Sequence, residues 1–250
     1  MNKNSFYWFF GIVFLLVIWF VISFFNIVNS LFLPSPIYVI SAFFKLFFNG
    51  KIISDIVATL SRMFFGFLIA VIIGVPLGIL MGYFNKVYLS LEFIIDFFRS
   101  IPATALIPLF LLFFGIGEGS KIFLVGFVCA LIIIVNTMYG VHNSNKLRVL
   151  VAKSMGASKS DILTKVVLPD GLPYISAGIR IALSLSLIIV IVSEMFIGTY
   201  SGLGYRILNA QLVFNTKELY ALILLTGLLG YCINKLYALF EKKVIHWSGK

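Results

Sequence analysis

The chain has 250 residues, 61% of them hydrophobic and 11% charged, whereas soluble domains run at roughly 45–50% apolar and 25% charged. That balance excludes a soluble enzyme or binding module, and at about 20 residues per crossing the length holds at most about eight spanning helices with no second domain. The formal net charge of +10 does not point to nucleic acid, because the basic residues are spread along the chain and their few clusters flank apolar segments, as topology signals do.

Six spans are predicted along one all-α transmembrane domain, at 6–28, 60–84, 89–114, 122–139, 179–197 and 219–239. The first lacks a small-x-small cleavage site and reads as a retained helix. An even number of spans puts both termini on one side. The basic residues of that side, from Lys3 and Lys86 through the 146–165 cluster to Lys242, Lys243 and Lys250, outnumber Lys45, Lys51, Arg62, Lys121, Arg206 and Lys217 opposite, which predicts cytoplasmic termini.

In the first external stretch, Ser35 and Pro36 make a plausible helix start. The helix after it, 37–48, is too short to span and too apolar for water, so it lies at the membrane surface or packs on its neighbours. In the second span Gly66, Ala70, Gly74, Gly78 and Gly82 recur every four residues around Pro76, a stripe that lets another helix approach closely. Packing is the stronger reading of the stripe, with helix sliding during a conformational cycle as the alternative.

Ionisable residues inside spans are costly and therefore candidate functional groups. Glu92, Asp96 and Arg99 share one face of the third span, as a paired ladder near its end or as lining of a translocation path. Glu194, late in the fifth span, must face a partner, the bundle interior or water. Asn136 and Thr137 suit interhelical hydrogen bonding better than ligand binding. Cys129 and Cys232 fall in apolar stretches and read as inert packing residues, and no metal-ligand spacing appears. No histidine lies within a span, His142 and His246 being at membrane edges, which disfavours an intramembrane enzyme.

The long cytoplasmic loop, 140–178, reads as helix, turn, helix, stop. A helix from about Leu147 ends at Gly156, which suits a left-handed cap, and Ser158 caps the next one. That second helix runs to Val167 and is expected to stop at Pro169. Ile162, Leu163, Val166 and Val167 form its apolar stripe, and Lys159, Asp161 and Lys165 its polar one. Such a helix offers a surface to a partner or packs on the chain's own helix ends.

The string Ala152-x3-Gly156-Ala157-Ser158, then Val166 and Leu168-Pro169, resembles the cytoplasmic loop of binding-protein-dependent ABC importer permeases, Glu-Ala-Ala-x3-Gly-x9-Ile-x-Leu-Pro. Leu33-Pro-Ser-Pro36, Thr59-Leu-Ser-Arg62 with Gly66-Phe67, Gly74-x-Pro-Leu-Gly78, Arg99-x-Ile-Pro102, Ala105-x-x-Pro108, Gly178-x-Arg180, Glu194-Met195 and Gly202-Leu-Gly204 extend the likeness to the nitrate/sulfonate/taurine branch, over roughly 33–247. Leu150-Val151 stands where that pattern has Glu-Ala, and Val166 replaces isoleucine.

The resemblance implies a type I importer permease fold in the bacterial plasma membrane. It also implies a second permease copy, two cytoplasmic ATPase subunits holding ATP and magnesium, and an extracytoplasmic solute-binding protein. The segment 158–167 would be the coupling helix. The substrate set it implies is nitrate, sulfonate, taurine or a vitamin precursor. No Gly-x4-Gly-Lys-Ser/Thr loop occurs in the chain, so any ATP hydrolysis falls to a partner. The runner-up is an ion-gradient-driven carrier with Glu92, Asp96 and Glu194 relaying protons.

Overall fold

The computed structural model describes residues 3–48 and 50–245, and every regular element among them is helical. In order these are α1 (Lys3–Phe24), α2 (Pro36–Phe48), α3 (Lys51–Tyr83), α4 (Asn85–Arg99), a 3-10 turn (Ala103–Leu106), α5 (Ile107–Phe114), α6 (Glu118–His142) and α7 (Lys146–Ser154). Then follow α8 (Lys159–Ile162), a π turn (Leu163–Val167), α9 (Leu168–Phe196), α10 (Leu203–Leu212) and α11 (Thr216–Val244). His246 and Lys250 lie outside the described residues.

Four stretches are long and apolar enough to cross a bilayer: Ile52–Tyr83, Glu118–His142, Lys159–Phe196 and Thr216–Val244. One further pair of helices passes the same test only when taken together, and it is bent. The expected straight span at 89–114 is instead α4 followed by the 3-10 turn and α5, at 95° to each other. Pro102 explains the break: it has no N–H to donate, and its own extended backbone (φ −56°, ψ 133°) turns the chain out of the helix. The first expected span, 6–28, corresponds to α1, whose apolar part Phe10–Phe24 is shorter than these four.

The bundle is organised around α6, which lies between α3 and α9. The glycine stripe is the reason for the first contact. A methyl group placed on Gly66 would meet Val125, on Gly74 Ile133, on Gly78 the Ile134 carbonyl and Thr137, and on Gly82 Val141 and the Met138 carbonyl, all within 3 Å. Ala70, in the same row, is fully buried. On the other side, Gly140 of α6 and Gly171 of α9 abut backbone to backbone. The stripe is therefore a packing seam.

The short helix α2 packs rather than floats. Val39 and Leu46 join a core with Leu203, Ile207, Leu222 and Leu225 of α10 and α11. Trp19 of α1 donates to the Pro34 carbonyl at 3.1 Å and stacks on Tyr220.

Three further expectations need correction. The second span begins earlier than 60, because α3 runs through Ser54, Asp55 and Thr59; these polar residues depress the hydropathy but have partners in the fold. Pro169 does not stop the loop helix. Leu168 keeps helical backbone angles (φ −65°, ψ −47°) and α8 continues through the π turn into α9, since one wider turn accommodates the proline ring and its missing donor. Cys129 is buried in the core, but Cys232 is exposed on α11 and is no packing residue of this chain.

Candidate functional site

Two clusters of functional residues lie at opposite ends of the bundle. The starts of α3, α6 and α11 and the end of α9 share one end. The ends of α3, α6 and α11 and the start of α8 share the other.

At the first end, Glu194 sits two residues before the end of α9 and is 2% exposed. Its carboxylate accepts from Arg62 Nη1 at 2.7 Å, from the Thr59 hydroxyl at 2.9 Å and from the Gly204 amide at 2.9 Å. Arg62 extends the network, donating from Nη2 to Glu118 at 2.9 Å and from Nη1 to the Ser201 carbonyl at 2.8 Å. The ammonium of the buried Lys121 reaches Glu118 at 3.1 Å.

The same side chains cap α10. Amides at its entrance have no partner within the helix. Here the Gly202 N–H donates to Asp55 at 2.8 Å, Leu203 to Thr59 at 2.9 Å and Gly204 to Glu194. Two carboxylates also complement the positive end of the helix dipole. Glycine is required at position 202, where φ is +119° and an added Cβ would lie 2.5 Å from the Glu194 carboxylate. Asp55 further pairs with Arg206, which reaches Glu218 on α11 at 3.7 Å. The network thus ties α3, α6, α9, α10 and α11 together at one end.

Sequence reasoning singled out Glu194 but missed Asp55, Glu118 and Glu218, and counted Lys121 and Arg206 only as topology charges. It quoted Thr59, Gly202 and Gly204 only as motif letters, and Arg62 as a motif letter and a topology charge. The available signal was that Thr59-Leu-Ser-Arg62, Glu194-Met195 and Gly202-Leu-Gly204 each pair a polar or small residue with an apolar setting. Such groups in a low-dielectric bundle must find one another.

The other proposed path residues are engaged separately. Glu92 accepts from the Tyr88 hydroxyl, and Asp96 pairs with Arg99 at 3.1 Å on an exposed face of α4. Asn136 donates to the Ile132 carbonyl at 2.9 Å and packs against Gly178 of α9. Among the described residues no hydrogen bond links Glu92, Asp96 and Glu194, and Thr137 Oγ1 is the buried side-chain polar atom without a partner.

At the second end, the loop segment is built as its sequence anticipates up to the proline. Asn145 caps α7, accepting from Leu147 and Arg148. Gly156 takes φ +79°, and Ala157 N–H returns to the Ala152 carbonyl at 3.0 Å, closing the helix end. Ser158 accepts from the Asp161 amide at 3.1 Å and opens α8. Ile162 and Val167 are buried with Val141 and pack on Ile79, Tyr83, Val149, Ala152, Ala157, Leu163 and Leu168. The apolar stripe is thus spent on the chain's own helix ends. Lys159, Ser160, Thr164 and Lys165 face outward, with Asp161 and Lys165 paired at 2.6 Å. Leu150, Val151 and Met155 of the preceding segment are exposed, at 64%, 50% and 81%.

The chain matches, over residues 74–246, the family described as binding-protein-dependent transport system inner membrane component. A probable ABC transporter permease protein of Brucella abortus (strain 2308) is 32% identical over 218 residues, 87% of either chain. The putative aliphatic sulfonates transport permease protein SsuC of Escherichia coli (strain K12) is 34% identical over 216 residues, 86% of this chain and 82% of that one. In fold, an inward-facing structure of the MetNI methionine ABC transporter covers 79% of this chain and 97% of its own, with a TM-score of 0.70 at 22% identity. The glycine seam, the loop helices and these likenesses agree: the chain belongs to the binding-protein-dependent transport system inner membrane components, the multi-pass permease subunits of ABC importers.

Proposed function

We propose that two copies of this chain form the translocation path of an importer whose loop end, with both termini, faces the cytoplasm. Each copy docks one ATPase subunit through α7 and α8, and an extracytoplasmic solute-binding protein delivers solute to the opposite end. ATP hydrolysis falls to the partner. The likeness to the sulfonate permease supports a small sulfonate as the substrate class, within the wider set of nitrate, taurine and vitamin precursors.

The observation that carries this reading is that α8 is continuous with α9. A short helix buried by its apolar stripe, exposed by its polar stripe and joined end-on to a spanning helix passes displacement into the membrane with no chemistry of its own. The exposed apolar residues Val151 and Met155 beside it supply contact area for a partner.

The test is uptake in proteoliposomes holding the permease, its ATPase and its binding protein. Gly156→Val forces a β-branched residue to φ +79°, displacing α8 from α7. ATP-dependent uptake is expected to fall by at least about tenfold, the equivalent of about 1.4 kcal/mol of lost coupling, with helical content unchanged. Full uptake by this variant, or uptake by wild type driven by an ion gradient without ATP, would overturn the proposal.

A further inference from the structure

A cavity of about 580 Å³ opens at the loop end, between the ends of α3 and α6 and the pair α7–α8. Lys146, Val149, Leu150 and Lys153 line it from one face of α7, at the i, i+3, i+4, i+7 spacing that puts residues on one side of a helix. His142, the last residue of α6, Ser144 after it, Tyr83 of α3 and Lys159, the first of α8, add to the polar lining. The Tyr83 hydroxyl donates to the Lys159 carbonyl at 3.3 Å, which closes the wall between α3 and α8.

Among the described residues no carboxylate lines this cavity. The acids near it in sequence are already engaged, Asp170 with Arg148 at 2.7 Å and Asp161 with Lys165 at 2.6 Å. Lys146, Lys153 and Lys159 take part in no ion pair among the described residues. Three exposed lysines without ion-pair partners along one space, free to turn their ammonium groups toward it, call for an anion with several acceptor oxygens, and the phosphate group has that chemistry. Its source follows from position. The cavity sits where two spanning helices end, and the exposed Leu150 and Phe84 form an apolar lip. A free phosphate gains nothing from such a lip, whereas the glycerol and upper acyl carbons of a lipid do.

We propose that this cavity binds the phosphodiester headgroup of an anionic phospholipid. The lipid pins α7 and α8 to the membrane-facing ends of α3 and α6, and so sets the height at which the loop helices stand off the bilayer. Basic pockets at the ends of spanning helices select anionic headgroups in this way. The proposal does not depend on which ATPase or solute the permease uses, nor on which face of the membrane the loop occupies.

The test uses the full chain purified in detergent, delipidated, and offered phosphatidylglycerol and phosphatidylcholine with the same acyl chains. Retained lipid is counted by native mass spectrometry. Wild type is expected to retain phosphatidylglycerol selectively. The triple variant Lys146→Gln, Lys153→Gln, Lys159→Gln is expected to lose at least about tenfold of that retention, whereas the triple Lys→Arg variant at the same positions and the remote Lys217→Gln keep it. The Arg variant and the wild-type selectivity hold the test open if the Gln variant fails to fold. Equal retention of the two lipids would overturn the proposal. So would unchanged retention in the folded Gln variant, or binding of inorganic phosphate with no lipid retained. Loss of ATPase binding at unchanged lipid retention would assign the lysines to an acidic protein surface instead, and would also overturn it.

Discussion

The Arg62–Glu194 pair offers a direct measure of how the buried network holds the fold. Both side chains are shielded, at 4% and 0% exposed, and their ion pair is 2.7 Å long. Removing one partner of a buried pair costs about 3–5 kcal/mol, chiefly because the other charge is left without compensation. The two removals are not equivalent. Arg62→Gln leaves the Glu194 carboxylate with only the Thr59 hydroxyl and the Gly204 amide, so its cost belongs at the upper end, about 4–5 kcal/mol. Glu194→Gln leaves Arg62 paired with Glu118, whose side chain is 58% exposed, and Gln keeps one acceptor for the Gly204 amide. Its cost is about 2–3 kcal/mol. In the double variant neither charge is stranded, so the summed single costs should overshoot the measured one by about 1–3 kcal/mol. Reversible unfolding of the purified chain in mixed micelles, followed by helical ellipticity, reads all three. Additive costs, or an Arg62→Gln variant as stable as wild type, would refute the reasoning.

Other outcomes follow from the same geometry. Gly78→Ala places a Cβ 2.6 Å from both the Ile134 carbonyl and Thr137, and is expected to lose about 1–3 kcal/mol by overpacking. Gly227→Ala on α11 has nothing within 4 Å and is expected to gain up to about 1 kcal/mol of helix propensity; the same unfolding assay compares the two. The proposed orientation predicts that, in a Cys232→Ser background in intact spheroplasts, a membrane-impermeant maleimide labels Tyr200→Cys, a position that is 96% exposed, and labels Ser160→Cys only after permeabilisation. The opposite pattern would invert the topology.

The packing of the chain was legible from residue spacing. Small residues every fourth position serve one helix face, so Gly66 through Gly82 marked where a helix packs closely, while the identity of that helix, α6, rests on contacts distant in the chain. Two caps of the loop were equally local, because Gly156 and Ser158 bond within a few residues of themselves. Less legible was whatever depends on partners far along the chain. Glu194 alone in an apolar run looked like a path residue or a pairing residue with equal force. Its partners Thr59 and Arg62 lie more than a hundred residues away, on a helix whose start the polar residues themselves concealed. Pro169 misled for a different reason. The rule that proline ends a helix assumes a regular 3.6-residue turn, and the π turn at Leu163–Val167 relaxes that assumption. Likewise Pro102 lay inside a continuous hydropathy peak, where composition reports apolarity and says nothing of direction.

The continuity of α8 with α9 has a mechanical meaning as well as a topological one. From Lys159 to Phe196 the helix runs 38 residues, about 57 Å at 1.5 Å per residue, which makes it a lever as long as the membrane is thick, with length to spare. A tilt of about 5° imposed at Lys159 swings the far tip through about 5 Å. That tip carries Glu194, and with it the amide clamp on α10 and the guanidinium on α3. A push at the loop end therefore arrives, past the π turn and Pro173 as softened points near its origin, at the group of residues on which five helices converge.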